Sequence, residues 1–120
     1  MSIPHQKFSV AIIIHKAYDF YLSLHASIIV FPKTERYVLG QKCEELSLDF
    51  MILLLRANQV KNYNRSKILF EASDKLDLLK ILIRASKDVR ALPEKKYLEI
   101  ETAIQEIGRM LGGWIKSLKH

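Results

Sequence analysis

One cysteine, Cys43, is all the chain has, which excludes an internal disulfide and any zinc site built from several thiolates. It falls on an apolar seam and reads as a small core residue rather than a nucleophile. Proline and glycine are equally scarce, three and four in 120 residues. So few turn formers disfavour a loop-rich or many-stranded fold and suit an all-helical one. Long apolar runs are missing too. The longest, Phe50 to Leu55, falls far short of the ~18 residues that a membrane span needs. The stretch from Phe8 to Ile14 is soon broken by His15, Lys16 and Asp19, with no small-residue cleavage site behind it. No secretory leader and no membrane partner are expected, and the chain reads as soluble in a reducing cytoplasm.

The motifs of catalysis are absent as well. There is no GxxxxGK followed by Ser or Thr, no strand-borne GxGxxG, no GxSxG and no HExxH. His5, His15 and His25 stand ten apart, which turns successive ones well around a helix, and His120 stands alone. They form no ligand set. Glu44, Glu45 and Asp49, and the pair Glu99 and Glu101, sit at polar positions beside Lys or Arg. They read as solvated faces, whereas acid–base work requires carboxylates held in contrasting environments. No His follows an Arg at the four-to-six spacing of a helical ribonuclease. An enzyme is therefore not expected, nor a metal, another cofactor or a small-molecule substrate.

What is present is helical periodicity. Gaps of three and four between apolar positions mark the core-facing seam of a bundle helix. Four such segments follow one another, at about 8–30, 35–60, 66–91 and 94–118. Their seams are Val10, Ile14, Ala17, Tyr21, Leu24, Ile28; then Leu39, Cys43, Leu46, Phe50, Leu53, Ala57; then Leu69, Ala72, Leu76, Leu79, Ile83, Ser86; then Tyr97, Ile100, Ile104, Ile107, Leu111, Trp114, Leu118. Pro32 ends the first segment, since the residue before a proline is pushed out of helical geometry. Thr34 is placed to cap the second. Asn62 to Ser66 reads as a polar connector, and Pro93 suits the first turn of the fourth helix. Lys116, Lys119 and His120 suit the negative end of its dipole. Short connectors favour antiparallel neighbours, so residues 1–120 are expected to form one domain, an up-down-up-down four-helix bundle.

Some of this surface exceeds what one core absorbs. Phe50 to Leu55 is apolar all around a helix, as are Ala11 to Ile14 and nearly Leu78 to Ile83. Burial between copies is the expected outcome, with Phe50 and Leu54 as candidates. Glycine in a helix interior costs about 1 kcal/mol, yet Gly108 and Gly112 interrupt the last seam just before the only tryptophan, Trp114. Four residues apart, the two glycines share a face, and a close backbone approach there is the expected compensation.

Charge is uneven. Residues 1–60 carry 6 Lys/Arg against 5 Asp/Glu, residues 61–120 carry 13 against 8. Lys80, Arg84 and Lys87, at i, i+4 and i+7, share one helix face. Lys75 and Arg90 extend the charge, with Lys95 and Lys96, while Lys61, Arg65 and Lys67 precede it. Such a row can neutralise phosphates without reading sequence. Tyr63 is the one aromatic nearby, so sequence-specific single-strand readout is not expected. Acidic protein surfaces are the other chemistry that a cationic row fits.

Two segments carry a resemblance. Phe31-Pro32-Lys33-Thr34-Glu35-Arg36-Tyr37-Val38-Leu39-Gly40 and Glu106-Ile107-Gly108-Arg109-Met110-Leu111-Gly112-Gly113-Trp114-Ile115 resemble motifs of Avd, the accessory variability determinants of diversity-generating retroelements. The first pattern is shared with the related ribosomal-RNA intervening-sequence proteins. The resemblance implies a non-enzymatic four-helix protomer assembling as a ring-like homopentamer with a basic surface. It implies reverse transcriptase, template RNA and cDNA as partners, and a role in mutagenic retrohoming, with Lys80 and Arg84 the leading contact residues. The alternative is a protein–protein interaction module of the intervening-sequence type, without a direct nucleic-acid role.

Overall fold

Because its apolar residues recur at helical spacing throughout, the chain forms helices wherever no proline or left-handed residue stops it. The computed structural model describes residues 2–118, and side chains from residue 10 onward. Its elements are α1 (Ser2–Ile28), the short α2 (Lys33–Glu35), a π-helical turn (Arg36–Gly40), α3 (Gln41–Gln59), α4 (Asn62–Asp88) and α5 (Glu94–Ser117). No strand occurs among the described residues. α1 packs on α3 and α5, and α4 also packs on α3 and α5. The four long helices thus enclose one apolar core.

The α4 seam lies where its spacing put it, with Leu69, Ala72, Leu76, Leu79, Ile83 and Ser86 all buried. In α5 the central positions Ile100, Ile104, Ile107 and Leu111 are buried, while Tyr97, Trp114 and Leu118 pack half-buried at the rim. In α1 the expected seam is rotated. Ile13, Ala17, Phe20, Leu24 and Ile28 are buried, while Val10, Ile14 and Tyr21 sit on the flank. Ile12, Ile13 and Ile14 offer an apolar side chain in every direction, so spacing alone does not select one. Tyr21 is drawn outward by its hydroxyl, which donates to Glu44 Oε2 at 3.1 Å.

The corner between α1 and α3 also departs from expectation. Pro32 is the N-cap of α2, and no side chain caps it, so Thr34 lies inside the turn rather than at its cap. Phe31 is buried, and Arg36 Nη2 donates to its carbonyl oxygen at 3.3 Å. The Gln41 N–H reaches back to the Arg36 carbonyl, the i to i−5 bond of a π turn. That extra residue turns Leu39 out to a half-buried position and brings Gly40 into the interior.

Asn62 to Ser66 is not a connector but the first turn of α4, and only Val60 and Lys61 link it to α3. Asn62 tolerates the left-handed φ of 59° required there. Arg65 Nε donates to the Ala57 carbonyl at 2.9 Å, satisfying an acceptor at the end of α3. α4 stops at Asp88 rather than near Ala91, because Arg90 adopts φ 68°. Its N–H bonds Lys87 O and the Ala91 N–H bonds Ser86 O, both at 2.9 Å. This is the Schellman closure of a helix end, made without glycine. Pro93 is the N-cap of α5 rather than a residue of its first turn, Glu94 sits in that turn and Lys116 in the last. The side chain of His5, and Lys119 and His120, lie outside the described residues.

Candidate nucleic-acid interface

Side chains at i, i+4 and i+7 project from one side of a helix, and the row Lys80, Arg84, Lys87 follows this rule on α4. It faces the seam with α5. Lys80 Nζ lies 3.4 Å from where a Cβ on Gly108 would begin. Lys87 Nζ sits 4.9 Å from the centroid of the Tyr97 ring, a cation–π contact that draws this side chain down to 26% exposure. Only Arg84 of the three stands well into solvent.

Aspartates accompany the row. Lys80 Nζ is 4.0 Å from Asp77, Arg84 Nε 3.6 Å and Lys87 Nζ 3.8 Å from Asp88. Lys75, placed with the row by its charge, lies on the other flank of α4, 3.9 Å from Asp49 of α3. Five residues turn a helix by about 140°, which separates it from Lys80. Pairs as exposed as these are worth about 0–1 kcal/mol. A phosphate can displace such an aspartate at little cost, but the unliganded row carries less net charge than its lysines and arginines suggest.

The other predicted contacts fall elsewhere. Arg90 is exposed in the turn after α4. Arg65 is bonded to Ala57, and Lys67 is exposed near the start of α4, roughly 20 Å from Lys80 by helical rise. One cation that spacing did not single out joins the row. Arg109 of α5 borders, with Lys80, Asp77, Ser73 and Gln105, an open groove of about 420 Å³. Its signal was its place between Gly108 and Met110. The groove exists because Gly108 and Gly112 put no side chain into it.

The glycines therefore do not do what their spacing predicts within this chain. Gly108 meets only side-chain atoms of Lys80 and Leu76, and a Cβ on Gly112 would find no atom within 4 Å. No backbone approaches either within the protomer. Phe50 and Leu54 are likewise not available to another copy, being 3% and 0% exposed in the core, whereas Trp114 packs half-buried against that core. The surplus apolar surface lies beside them. Tyr18, Leu22, Leu48, Ile52 and Leu55 are exposed on α1 and α3, and Phe70, Leu78 and Ile81 on α4. Val10, Ile14, Tyr18, Met51 and Leu55 line an apolar groove of about 580 Å³ between α1 and α3.

The titratable groups are structural in placement. Burial pushes the Cys43 thiol up to about 11, with a hydrogen bond to Ser86 acting the other way. It is 1% exposed and stays protonated at neutral pH. Glu44 differs from the solvated-face expectation. Its carboxylate accepts from Tyr21 and from His25 Nδ1 at 2.8 Å, clasping α1 to α3. The Tyr21 hydroxyl is accordingly raised, by desolvation first and by Glu44 second. Among the described residues no three His, Cys, Asp or Glu side chains converge, and no described helix is long and apolar enough to cross a membrane.

No curated protein matches the chain. A family model described as bAvd-like matches residues 11–118. That span takes in both the Phe31 to Gly40 corner and the glycine-bearing end of α5, so the chain belongs to this family, the Avd-type accessory proteins of diversity-generating retroelements.

Proposed function

We propose that the chain is a non-enzymatic adaptor of its retroelement, binding the reverse transcriptase together with template RNA and cDNA and supporting mutagenic copying. In this reading it is one domain of antiparallel helices running up, down, up and down. It works in the cytoplasm as a ring-like homo-oligomer, a pentamer. The helix directions are supported by cross-helix pairs whose numbers rise on one helix as they fall on the next. Asp49 meets Lys75, and Ala57 meets Arg65. Assembly is supported by the apolar side chains left exposed on α1, α3 and α4.

The observation that carries the reading is the cationic border of the α4–α5 groove, where Lys80 and Arg109 flank a floor opened by two glycines and Arg84 stands one turn along α4 from Lys80. A polyanion or an acidic polymerase surface fits there. Repetition in a ring multiplies weak contacts into avidity without adding new ones. The test is co-purification of the reverse transcriptase with the tagged chain. The Lys80→Glu/Arg84→Glu variant is expected to lose the polymerase while keeping its own oligomeric size. Retention of the polymerase by that variant would remove the row from the interface.

A further inference from the structure

A second cationic surface lies at one end of the bundle, and it differs from the α4 row in that none of its described cations is ion-paired. No Asp or Glu occurs between Asp49 and Glu71, or after Glu106. Those two stretches are brought together where α3 ends, α4 begins and α5 ends, since Leu118 lines the same cavity as Lys61. Arg56, Lys61, Arg65, Lys67 and Lys116 all belong to this end, and no ion pair among the described side chains involves any of them. By contrast, the three cations of the α4 row, and Lys75 on its other flank, each have an aspartate within 4.0 Å. Glu71, one turn after Lys67, is the one acid within four residues of any of the end's cations, so the end keeps a net positive charge towards an approaching polyanion.

Two further features set the chemistry of the ligand. Tyr63 is 76% exposed, the most exposed aromatic side chain among the described residues. With Lys61, Arg65 and Ser66 it lines a cavity of about 580 Å³, within the range of sites for small ligands such as one nucleotide. Arg65 is held in place by its bond to Ala57, which leaves its terminal amino groups free to fork around a phosphate. An exposed aromatic face beside a fixed arginine and exposed lysines is the arrangement that binds unpaired nucleotides, stacking a base while the backbone is neutralised. Duplex bases are already stacked and gain nothing from it.

We propose that this end of the bundle is a single-stranded nucleic-acid site, with phosphates on Lys61, Arg65 and Lys67 and a base on Tyr63. It deepens the adaptor reading, on which it rests, by adding a site separate from the α4 row. The experiment measures binding of the full-length chain to a 20-nucleotide single-stranded RNA and to an RNA duplex of equal length, by fluorescence anisotropy across a salt series. Tyr63→Ala should weaken single-strand binding by about 5- to 150-fold and leave the duplex unaffected, with Tyr63→Phe binding as the parent does. Lys61→Gln/Lys67→Gln should reduce the slope of log affinity against log salt by about 1.4, about 0.7 for each lost phosphate contact. All four residues stand outside the core, and thermal melts check that the variants fold. Tyr63→Ala that binds single strands as tightly as the parent, or weakens both RNAs alike, would overturn the site. If the parent binds and only Lys80→Glu/Arg84→Glu weakens it, the end site fails and the adaptor reading stands. If the parent binds neither RNA, both fail.

Discussion

The backbone of Gly40 passes so close to Ile28 that a Cβ built on the glycine would stand 2.8 Å from the isoleucine Cγ2. That clearance is what the corner between α1 and α3 is built around. Phe31 closes it on one side, Arg36 ties off the Phe31 carbonyl, and the π turn delivers the glycine to the contact. Gly40→Ala gains about 1 kcal/mol of helix propensity but must push a buried β-branched side chain aside, an overpacking cost of about 1–3 kcal/mol. A net loss on the order of 1 kcal/mol follows, lowering Tm by roughly 4–8 °C. A melt at or above that of the parent would show that the corner has slack.

Gly112 is the opposite case. It lies inside α5 at negative φ with open space where its Cβ would go. Gly112→Ala should stabilise the protomer by about 1 kcal/mol, read as a rise in Tm. Light scattering on the same variant reports on assembly. If the particle shrinks while the protomer remains folded, the glycine faces another copy, which is the one place where the close approach expected from its spacing can still occur.

Arg90 holds a left-handed conformation that costs a non-glycine residue roughly 1–2 kcal/mol. Arg90→Gly should relieve part of this and stabilise the chain by about 1 kcal/mol in chemical denaturation. Loss of stability would mean that the arginine side chain contributes more than its backbone costs.

Cys43 gives a pH signature. Its folded pKa of about 11 lies above the ordinary 9.0, so the folded chain keeps a proton that the unfolded chain releases. Stability from this source is fully present below pH 9 and is lost as pH rises towards 11, by about 3 kcal/mol in all. Unfolding free energies of the parent and Cys43→Ala, measured from pH 8 to 11, should differ by a component that disappears in the variant. Parallel curves would contradict the burial argument. The folded parent should also resist thiol alkylation at pH 8.

How much of this was legible depended on how sharply apolar and polar residues alternate. In α4 five of the six seam residues have a polar residue on at least one side, and all six predicted positions are buried. In α1 three consecutive isoleucines erased the contrast, and the seam was set instead by the partner of Tyr21 on another helix. The π turn leaves no mark in residue spacing, so Leu39 was misplaced and the demand on Gly40 went unseen. At the candidate interface the cations were visible in the sequence but their neutralisation was only partly so. Asp77 and Asp88 lie on the same helix as Lys80 and Arg84, whereas Asp49 reaches Lys75 across from α3. At the end of the bundle Lys61, Tyr63, Arg65 and Lys67 were visible as a basic stretch with one aromatic, but the cavity that Lys61, Tyr63 and Arg65 share with Leu118 was not, because Leu118 lies far away in sequence.

The most direct measurement is cDNA yield from the purified reverse transcriptase and its template RNA, with and without this chain and with its Lys80→Glu/Arg84→Glu variant. The account predicts efficient cDNA synthesis only with the parent chain and a drop towards the chain-free level with the variant. Equal yields in all three reactions would contradict it.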